Sequence, residues 1–327
     1  MTSVAILGCS GYAGQETLDR VLGHPALEVL ALGSDSLAGE PAAALDVRLN
    51  GSLPAFCSNA EALAAGAEVV FLCLGNEDAA ALTPPPNAVV VVDLSGAHRL
   101  DDTSLYPEWY GFAHPRPERQ EGWEYALPEL RPPTGRLIAN PGCYATAALL
   151  ALAPLAGGID PEGVVVDAKS GVSGAGRALR TSSHAGSVLE NLSPYRVGTH
   201  QHAPEIAQVL GYPVTFVPHL LPIRRGLLVT CYARPTEQGL RERLEAAYER
   251  TPAVRLLPEG HEPELSRVQG TDGAEIALYE DRSTGRAIVV CALDNLGKGA
   301  AGQAVQNANL ALGLDETLGL RLTGVLV

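Results

Sequence analysis

Residues whose types and spacing could do chemistry fall into three sets: a cysteine with a downstream pair of histidines, a glycine loop, and a loop rich in glycine and serine. Cys143 stands in Ala139-Asn140-Pro141-Gly142-Cys143-Tyr144-Ala145-Thr146-Ala147, at a sharp turn that opens an alanine-rich helix. A thiol at a helix N-terminus has its pKa lowered by the positive end of the helix dipole, which favours the nucleophilic thiolate. A purely structural cysteine sits more naturally inside a strand, as Cys73, Cys231 and Cys291 do within apolar runs. A base for the nucleophile lies in Gly198-Thr199-His200-Gln201-His202-Ala203-Pro204-Glu205. In extended chain His200 and His202 point to the same side, and Glu205 can orient one of them. The plainer reading is a surface loop with two solvated histidines. A metal pair is disfavoured because no third ligand stands nearby.

The second set is Gly8-Cys9-Ser10-Gly11-Tyr12-Ala13-Gly14, between the first strand and the first helix. Glycines there let the backbone turn tightly and approach a pyrophosphate, while the helix N-terminus offers N–H groups to its oxygens. The spacing is G-x-x-G-x-x-G rather than G-x-G-x-x-G, but the strand–loop–helix setting is what dinucleotide binding requires. Gly8, Ser10, Gly11, Tyr12, Ala13 and Gly14 are therefore cofactor-binding candidates. The second strand ends at Ser34-Asp35, where the adenosine ribose should lie. Ser34 tolerates a 2′-phosphate and Asp35 prefers a free 2′-hydroxyl, so this pair leaves the choice of cofactor open. The third set, Lys169-Ser170-Gly171-Val172-Ser173-Gly174-Ala175-Gly176-Arg177, follows a strand and is dense in glycine and serine. A loop of that kind can present backbone N–H groups to a cofactor or an anion, although most such loops are only turns.

These stretches need a scaffold. Apolar runs at Val4–Leu7, Val29–Gly33, Val69–Leu74 and Val89–Asp93 alternate with helical stretches at Gln15–Leu22 and Ala60–Ala65. Continuous apolar strands belong to a parallel sheet covered on both faces, and their alternation with helices predicts a doubly wound α/β domain. After about residue 143 the pattern changes. Strand-like runs at Val164–Asp167, Val214–Val217, Leu227–Tyr232, Ala274–Tyr279 and Ala287–Leu293, the last two joined by a glycine-containing polar turn, predict a mostly antiparallel second sheet. A helix is expected over Ala300–Leu312. The expected fold is thus α/β, an N-terminal Rossmann-type doubly wound domain followed by an α+β catalytic domain.

Composition agrees with an ordinary globular protein of two domains: 327 residues, 46% hydrophobic and 18% charged. A net charge of −14 argues against nucleic acid or an anionic membrane surface as partner, because that field repels polyanions. A small anionic substrate remains compatible. No basic leader precedes the first strand, and no apolar stretch is long enough to span a bilayer. Six cysteines without paired spacing read as reduced thiols, so a cytoplasmic setting is expected.

Taken together the chain resembles the N-acetyl-γ-glutamyl-phosphate reductase family, within the aspartate-semialdehyde dehydrogenase-like superfamily. The resemblance rests on Gly8–Gly14, Asp93-Leu94-Ser95 with Arg99-Leu100, Trp109-Tyr110-Gly111, Leu127-Pro128-Glu129-Leu130 and Asn140-Pro141-Gly142-Cys143. It continues through Lys169–Gly176, His200-Gln201-His202 with Pro204-Glu205-Ile206, Pro218-His219-Leu220, Arg225-Gly226 and Asp294-Asn295-Leu296-Gly297-Lys298-Gly299. It implies NADPH-dependent reduction of an acyl phosphate to an aldehyde through a thioester, in arginine biosynthesis. Cys143 would then be the nucleophile and His202 the acid/base, with His200 and Glu205 beside it. Arg99, Asn140, Ser170 and Gly171 would bind substrate. Ser34, Ser173, Gly174 and Asn295 would join the cofactor site, Asn295 beside the nicotinamide. Residues 1–142 would form the NADP-binding domain with the helix of 300–327 packing back on it. Residues 143–299 would form the catalytic and dimerisation domain of a homo-oligomer, a dimer or tetramer. The chain departs from the family pattern in placing Gly96-Ala97-His98 before Arg99, Gln201 between the histidines, and Leu74-Gly75-Asn76-Glu77 after the fourth strand. The alternatives are a carrier-protein-linked aminoadipyl-phosphate reductase of lysine biosynthesis and a non-catalytic NADP-sensing regulator. The Ser170–Gly176 motif looks more like the acetylglutamyl enzymes.

Overall fold

The computed structural model describes every residue except 50, 52, 178–183 and 325–327. In chain order the first elements are β1 (Thr2–Leu7), α1 (Tyr12–Leu22), β2 (Leu27–Gly33), β3 (Phe56–Cys57), α2 (Asn59–Ala64), β4 (Val69–Leu72), α3 (Asn76–Ala81) and β5 (Val90–Asp93). Then come α4 (Tyr106–Trp109), β6 (Glu124–Tyr125), β7 (Leu137–Ala139), α5 (Cys143–Leu152), β8 (Ile159–Gly171), α6 (Ala185–Val188), β9 (Ser193–Pro194) and α7 (His202–Leu210). The chain continues with β10 (Thr215–Leu221), β11 (Leu227–Pro235), α8 (Leu240–Tyr248), β12 (Val254–Leu256), α9 (Leu265–Val268), β13 (Ala274–Glu280), β14 (Ala287–Leu293) and α10 (Gly302–Ala311). Among the described residues no helix is long and apolar enough to cross a membrane.

The chain divides into two compact units. Unit 1 comprises Met1–Pro107, Phe112–Pro141 and Ala300–Leu320. Unit 2 takes Gly142–Gly299, the short excursion Glu108–Gly111 and the segment Arg321–Val327. Of the segment 300–327 expected beside the first domain, the part to Leu320 belongs to unit 1. Positions 325–327 lie outside the described residues.

Unit 1 holds a parallel sheet in the order β3-β2-β1-β4-β5-β7-β6. All four residues of β4, Val-Val-Phe-Leu, are buried because alternate side chains feed two cores. Val69 and Phe71 join Val4, Ile6, Leu18 of α1 and Ala304, Val305 and Ala308 of α10 on one face. Val70 and Leu72 join Ala5, Leu7, Val91 and Ala62 of α2 on the other. Ser58 and Glu61 start α2 with reciprocal bonds, Ser58 N–H to Glu61 at 2.9 Å and Glu61 N–H to Ser58 Oγ at 3.2 Å. β1 lies between β2 and β4, where the sheet's order reverses, so the loop after β1 opens at the position where doubly wound sheets bind ligands.

Unit 2 holds a sheet in the order β12-β13-β14-β11-β8-β10-β9. It is mostly antiparallel, as expected, with two parallel pairs, β8 with β10 and β12 with β13. Parallel β8 and β10 are joined by a crossover containing α7. β8, expected over four residues, extends over thirteen. Its apolar side (Val164, Val166, Ala168) is buried, while Val165, Asp167 and Lys169 on the opposite side are half-buried. α5 is buried along its whole length apart from Cys143.

The last helix begins later than the sequence suggests. Residues Gly297–Ala301 form a π-helical turn before α10. Among the cysteines assigned to the core, Cys231 and Cys291 are fully buried, but Cys73, which follows β4 beside the glycine loop, is only half-buried.

Candidate functional site

In unit 1 the glycine loop is shaped by steric necessity. Gly8 has φ +69°, and a Cβ there would lie 2.2 Å from the Cys73 carbonyl oxygen. A Cβ at Gly14 would lie 2.4 Å from the Gly8 carbonyl oxygen, so the first turn of α1 packs on the loop only because both residues lack side chains. A Cβ at Gly11 would meet only the Gly8 carbonyl oxygen, at 3.3 Å, and otherwise face open space. Gly11 is the N-cap of α1, with Tyr12 exposed and Ala13 half-buried behind it. Such a cradle suits a pyrophosphate, since the N–H groups of a helix's first turn have no partner within the helix. Gln15 Nε2 ties the loop by donating to the Ser10 carbonyl at 2.8 Å.

Ser34 is buried at the end of β2, and its hydroxyl lies 2.9 Å from Ser10 Oγ and 3.2 Å from Ser36 Oγ. Asp35 is exposed yet committed: its carboxylate accepts from Asn59 N–H and from Asn59 Nδ2, both at 2.8 Å. Those bonds hold its carboxyl below the ordinary range. Asn59 in turn accepts the Gly8 N–H on Oδ1 at 2.8 Å, linking the end of β2 to the loop after β1.

Arg99 and Asn140 also lie in unit 1, buried. Arg99 Nε donates to the Asn140 carbonyl at 2.9 Å and Nη2 to the Leu94 carbonyl at 2.8 Å. Asn140 donates its N–H to the Asp93 carbonyl at 2.9 Å and its Nδ2 to the Ala300 carbonyl at 3.2 Å, and its Oδ1 accepts from Asn307 at 3.0 Å. Arg99 therefore ties the end of β7 to the residue following β5, and the Asn140 side chain ties it to α10 and the segment entering it.

Unit 2 assembles the cysteine and histidines. Cys143 is the first residue of α5, with Gly142 as N-cap. The segment holding the histidines is not extended: Gln201 has helical backbone and His202 begins α7. Helical spacing then puts Glu205 one turn beyond His202, its Oε2 3.7 Å from His202 Nε2. Glu205 is fully buried and its Oε1 accepts the Gly142 N–H at 2.7 Å. One carboxylate thus touches both the histidine and the residue preceding the cysteine, a contact across 63 positions that local sequence does not announce.

His200 and His202 still meet, with ring centroids 4.8 Å apart, because the turn into α7 folds one over the other. His200 Nδ1 accepts the His202 N–H at 3.2 Å. Its ring is packed against Tyr144, Tyr195 and Phe216. Burial, with smaller contributions from His202 and Arg196, pushes His200 down to about 2. His200 is a neutral aromatic element of the site at any ordinary pH.

The Ser170–Gly176 loop differs from the expectation of an open nest of N–H groups. The N–H groups of Gly171, Val172 and Ser173 donate to the carbonyls of Gly226, Ile223 and Arg224 at 2.9, 2.9 and 3.1 Å. The end of β8 is pinned to the segment entering β11, and that pairing takes these three donors. Ser170 Oγ donates to the Gly171 carbonyl at 3.2 Å. Asn295, buried, donates Nδ2 to Ser173 Oγ at 2.9 Å and accepts the Gly226 N–H on Oδ1 at 2.8 Å. It therefore braces the loop, and a Cβ on Gly174 would come 3.8 Å from its Nδ2. Sequence reasoning passed over the ion pair behind it, buried Asp294 with half-buried Arg225. Asp294 takes Arg225 Nε at 2.6 Å and Nη2 at 3.0 Å, and also accepts the N–H groups of Gly270, Leu296 and Gly297. The run Asp294–Gly299 held the available signal.

Two family models match nearly the whole chain. That of the semialdehyde dehydrogenase NAD binding domain covers residues 3–136, and that of the semialdehyde dehydrogenase dimerisation domain covers residues 143–295. The chain is 44% identical to the N-acetyl-gamma-glutamyl-phosphate reductase of Salinispora tropica, over 98% of each chain. It is 41% identical to the protein of that name from Moorella thermoacetica, over 99% of each. Among solved structures it is similar to aspartate semialdehyde dehydrogenase II of Vibrio cholerae, with TM-score 0.74 and 20% identity over 95% of this chain and 98% of that one. Aspartate semialdehyde dehydrogenase with NADP from Candida albicans gives TM-score 0.59 and 17% identity over 96% and 99%. These last two likenesses are of fold.

Proposed function

Because the chain belongs to the N-acetyl-gamma-glutamyl-phosphate reductase family, we propose that it reduces N-acetyl-γ-glutamyl phosphate with NADPH to N-acetylglutamate semialdehyde and phosphate, a step of arginine biosynthesis. The observation that carries this reading is Cys143 at the head of buried α5, with Glu205 touching both Gly142 N–H and His202. Relatives at 41–44% identity over nearly the full length carry the acetylglutamyl name, so the acetylglutamyl substrate is preferred over a carrier-linked aminoadipyl one.

The Cys143 thiolate, favoured by the α5 dipole, attacks the acyl carbon, and the C–O bond to phosphate breaks to leave a thioester. The Gly142 N–H is taken by Glu205, so the oxyanion is assigned to the N–H groups of the first turn of α5 that follow it. A reduced nicotinamide cofactor, held by the glycine loop of Gly8, Gly11 and Gly14, would supply the hydride that the thioester carbon receives. His202 then serves as the general acid/base, protonating the oxyanion and taking that proton back as the carbon–sulfur bond breaks and the aldehyde leaves. Glu205 fixes its ring and offsets its positive charge. Gly8, Gly11 and Gly14 would hold the pyrophosphate, and Asn295 would brace the Ser173–Gly174 loop against the cofactor.

A preference for NADPH over NADH is supported by three neighbouring hydroxyls, Ser10, Ser34 and Ser36, at the end of β2, and by Asp35 being bonded to Asn59. A second copy of the chain is assigned to the half-exposed face of the unit 2 sheet. There Val165, Tyr232 and Ile288 form one cross-strand row, and Asp167, Thr230 and Val290 the next. Arg99 and Asn140, fixed in place by their bonds to backbone carbonyls, are assigned to the substrate. NADPH oxidation with N-acetyl-γ-glutamyl phosphate, together with the phosphate-dependent reverse reaction, tests the proposal. Absence of both, with NADPH still bound, would overturn the enzymatic reading.

A further inference from the structure

Behind the cysteine lies the π-helical turn Gly297–Ala301, a conformation whose rare occurrences are frequently at functional sites. A Cβ built on Gly299 would sit 2.7 Å from Cys143 Cβ, 3.1 Å from the Asp294 carbonyl oxygen and 3.2 Å from Leu293 Cδ1. Residue 299 therefore faces the nucleophile's own β-carbon with no room for a side chain between them. The turn has no room to retreat, because a Cβ on Gly297 would lie 1.9 Å from the Thr271 carbonyl oxygen. Its entry is held by Asp294, whose carboxylate accepts the N–H groups of Leu296 at 2.9 Å and Gly297 at 3.1 Å while paired with Arg225. Gly299 N–H closes on the Asp294 carbonyl at 2.8 Å.

We propose that Gly299 is a positioning residue for the reaction: the missing side chain at 299, on a turn clamped by Asp294 and Thr271, sets where Cys143 sits at the head of α5. Any larger residue must displace the softer partner, which is the half-buried cysteine rather than the clamped turn. The proposal rests on the reading of Cys143 as nucleophile. It makes the Arg225–Asp294 pair a support for the thiol rather than a substrate site.

The test is Gly299→Ala in the full chain. A displacement of about 1 Å at a reacting atom costs on the order of 100-fold, and a fall in kcat of that size is expected. NADPH affinity, measured by fluorescence titration, should stay within twofold, since the glycine loop is in the other unit. The pH profile of Cys143 alkylation by iodoacetamide should move, which general loosening of the fold would not produce. Thermal unfolding completes the cycle. Gly299→Ala should lower Tm in the wild-type background and much less in Cys143→Gly, where the opposing β-carbon is gone. Turnover and alkylation within threefold of wild type overturn the proposal, whatever the cycle shows. So does an equal loss of Tm in both backgrounds. If Gly299→Ala alone fails to fold, folding restored by Cys143→Gly supports the contact and failure in both overturns it. If Cys143→Ser keeps turnover, the nucleophile reading falls, whereas the unfolding cycle still reports the contact.

Discussion

At the scale of the residue, the chemistry turns on how few groups are shared among several tasks. Cys143→Ser should abolish turnover while leaving NADPH binding intact, because a hydroxyl lacks the thiolate's low pKa and polarisability. A reverse rate reduced less than tenfold would rule the thiol out. His202→Ala should lower kcat by about 10²–10⁴, the range for a lost general acid/base. His200→Ala should instead act on KM and Tm, since the His200 ring is neutral and its Nδ1 is spent on the His202 N–H. Dominance of kcat by His200 would reverse the two roles. Glu205 separates charge from geometry. Glu205→Gln keeps an oxygen for the Gly142 N–H but removes the counter-charge, so it should show a fraction of the His202→Ala defect and a shifted pH optimum. Glu205→Ala removes both and should be the worse. The cysteine, the histidines and the carboxylate were all legible as residue types in the right local spacing. What joined them was not. The Glu205–Gly142 bond spans distant segments, and helical rather than extended backbone at His202 is what brings Glu205 within reach.

At the scale of the element, the glycine loop makes a discriminating prediction. Gly11→Ala adds a methyl whose one neighbour is the Gly8 carbonyl oxygen at 3.3 Å, so it should raise the KM for NADPH with a smaller loss of Tm than Gly14→Ala. Gly14→Ala drives a methyl to 2.4 Å from the Gly8 carbonyl oxygen and should lower Tm as well. Comparing the two by steady-state kinetics and calorimetry tells whether the loop's glycines serve a ligand or only packing; equal Tm losses with unchanged KM mean packing alone. The strands of unit 1 could be read from sequence because a parallel strand covered on both faces is a continuous apolar run, as Val69–Leu72 shows. β3 and β6, two residues each, leave no periodicity to detect. The Ser170–Gly176 loop misled for a different reason: its glycines signal a turn, but which carbonyls take its N–H groups depends on the segment 223–226, far along the chain.

At the scale of the whole molecule, acid should destabilise the fold early. Burial lowers His24, His98, His114 and His200, each by desolvation first. Below about pH 6.5 the unfolded chain takes up protons at these positions that the folded chain refuses, so stability rises with pH through that window and is fully retained above it. For His200 alone the loss at pH 5 is about 2 kcal/mol. Calorimetry from pH 7.5 to 5 should show Tm falling, and His200→Phe should flatten the fall; a Tm independent of pH in that range would contradict the assignment. Assembly can be tested by Val290→Arg on the half-exposed sheet face, which should halve the apparent mass in size-exclusion chromatography with the far-UV spectrum unchanged. An unaltered mass would move the interface elsewhere. Unit 1 itself is discontinuous, completed by Ala304, Val305 and Ala308 of α10 after the chain has passed through all of residues 142–299. On the ribosome this inverts the usual order of maturation. At about 5–20 residues per second, roughly 10–30 s separate synthesis of Pro141 from that of the helix that closes the first core. The nucleotide-binding half, though made first, must wait with an apolar face uncovered, a nascent-chain state that trigger-type holdases exist to shield, while the main stretch of the half bearing the cysteine is already made.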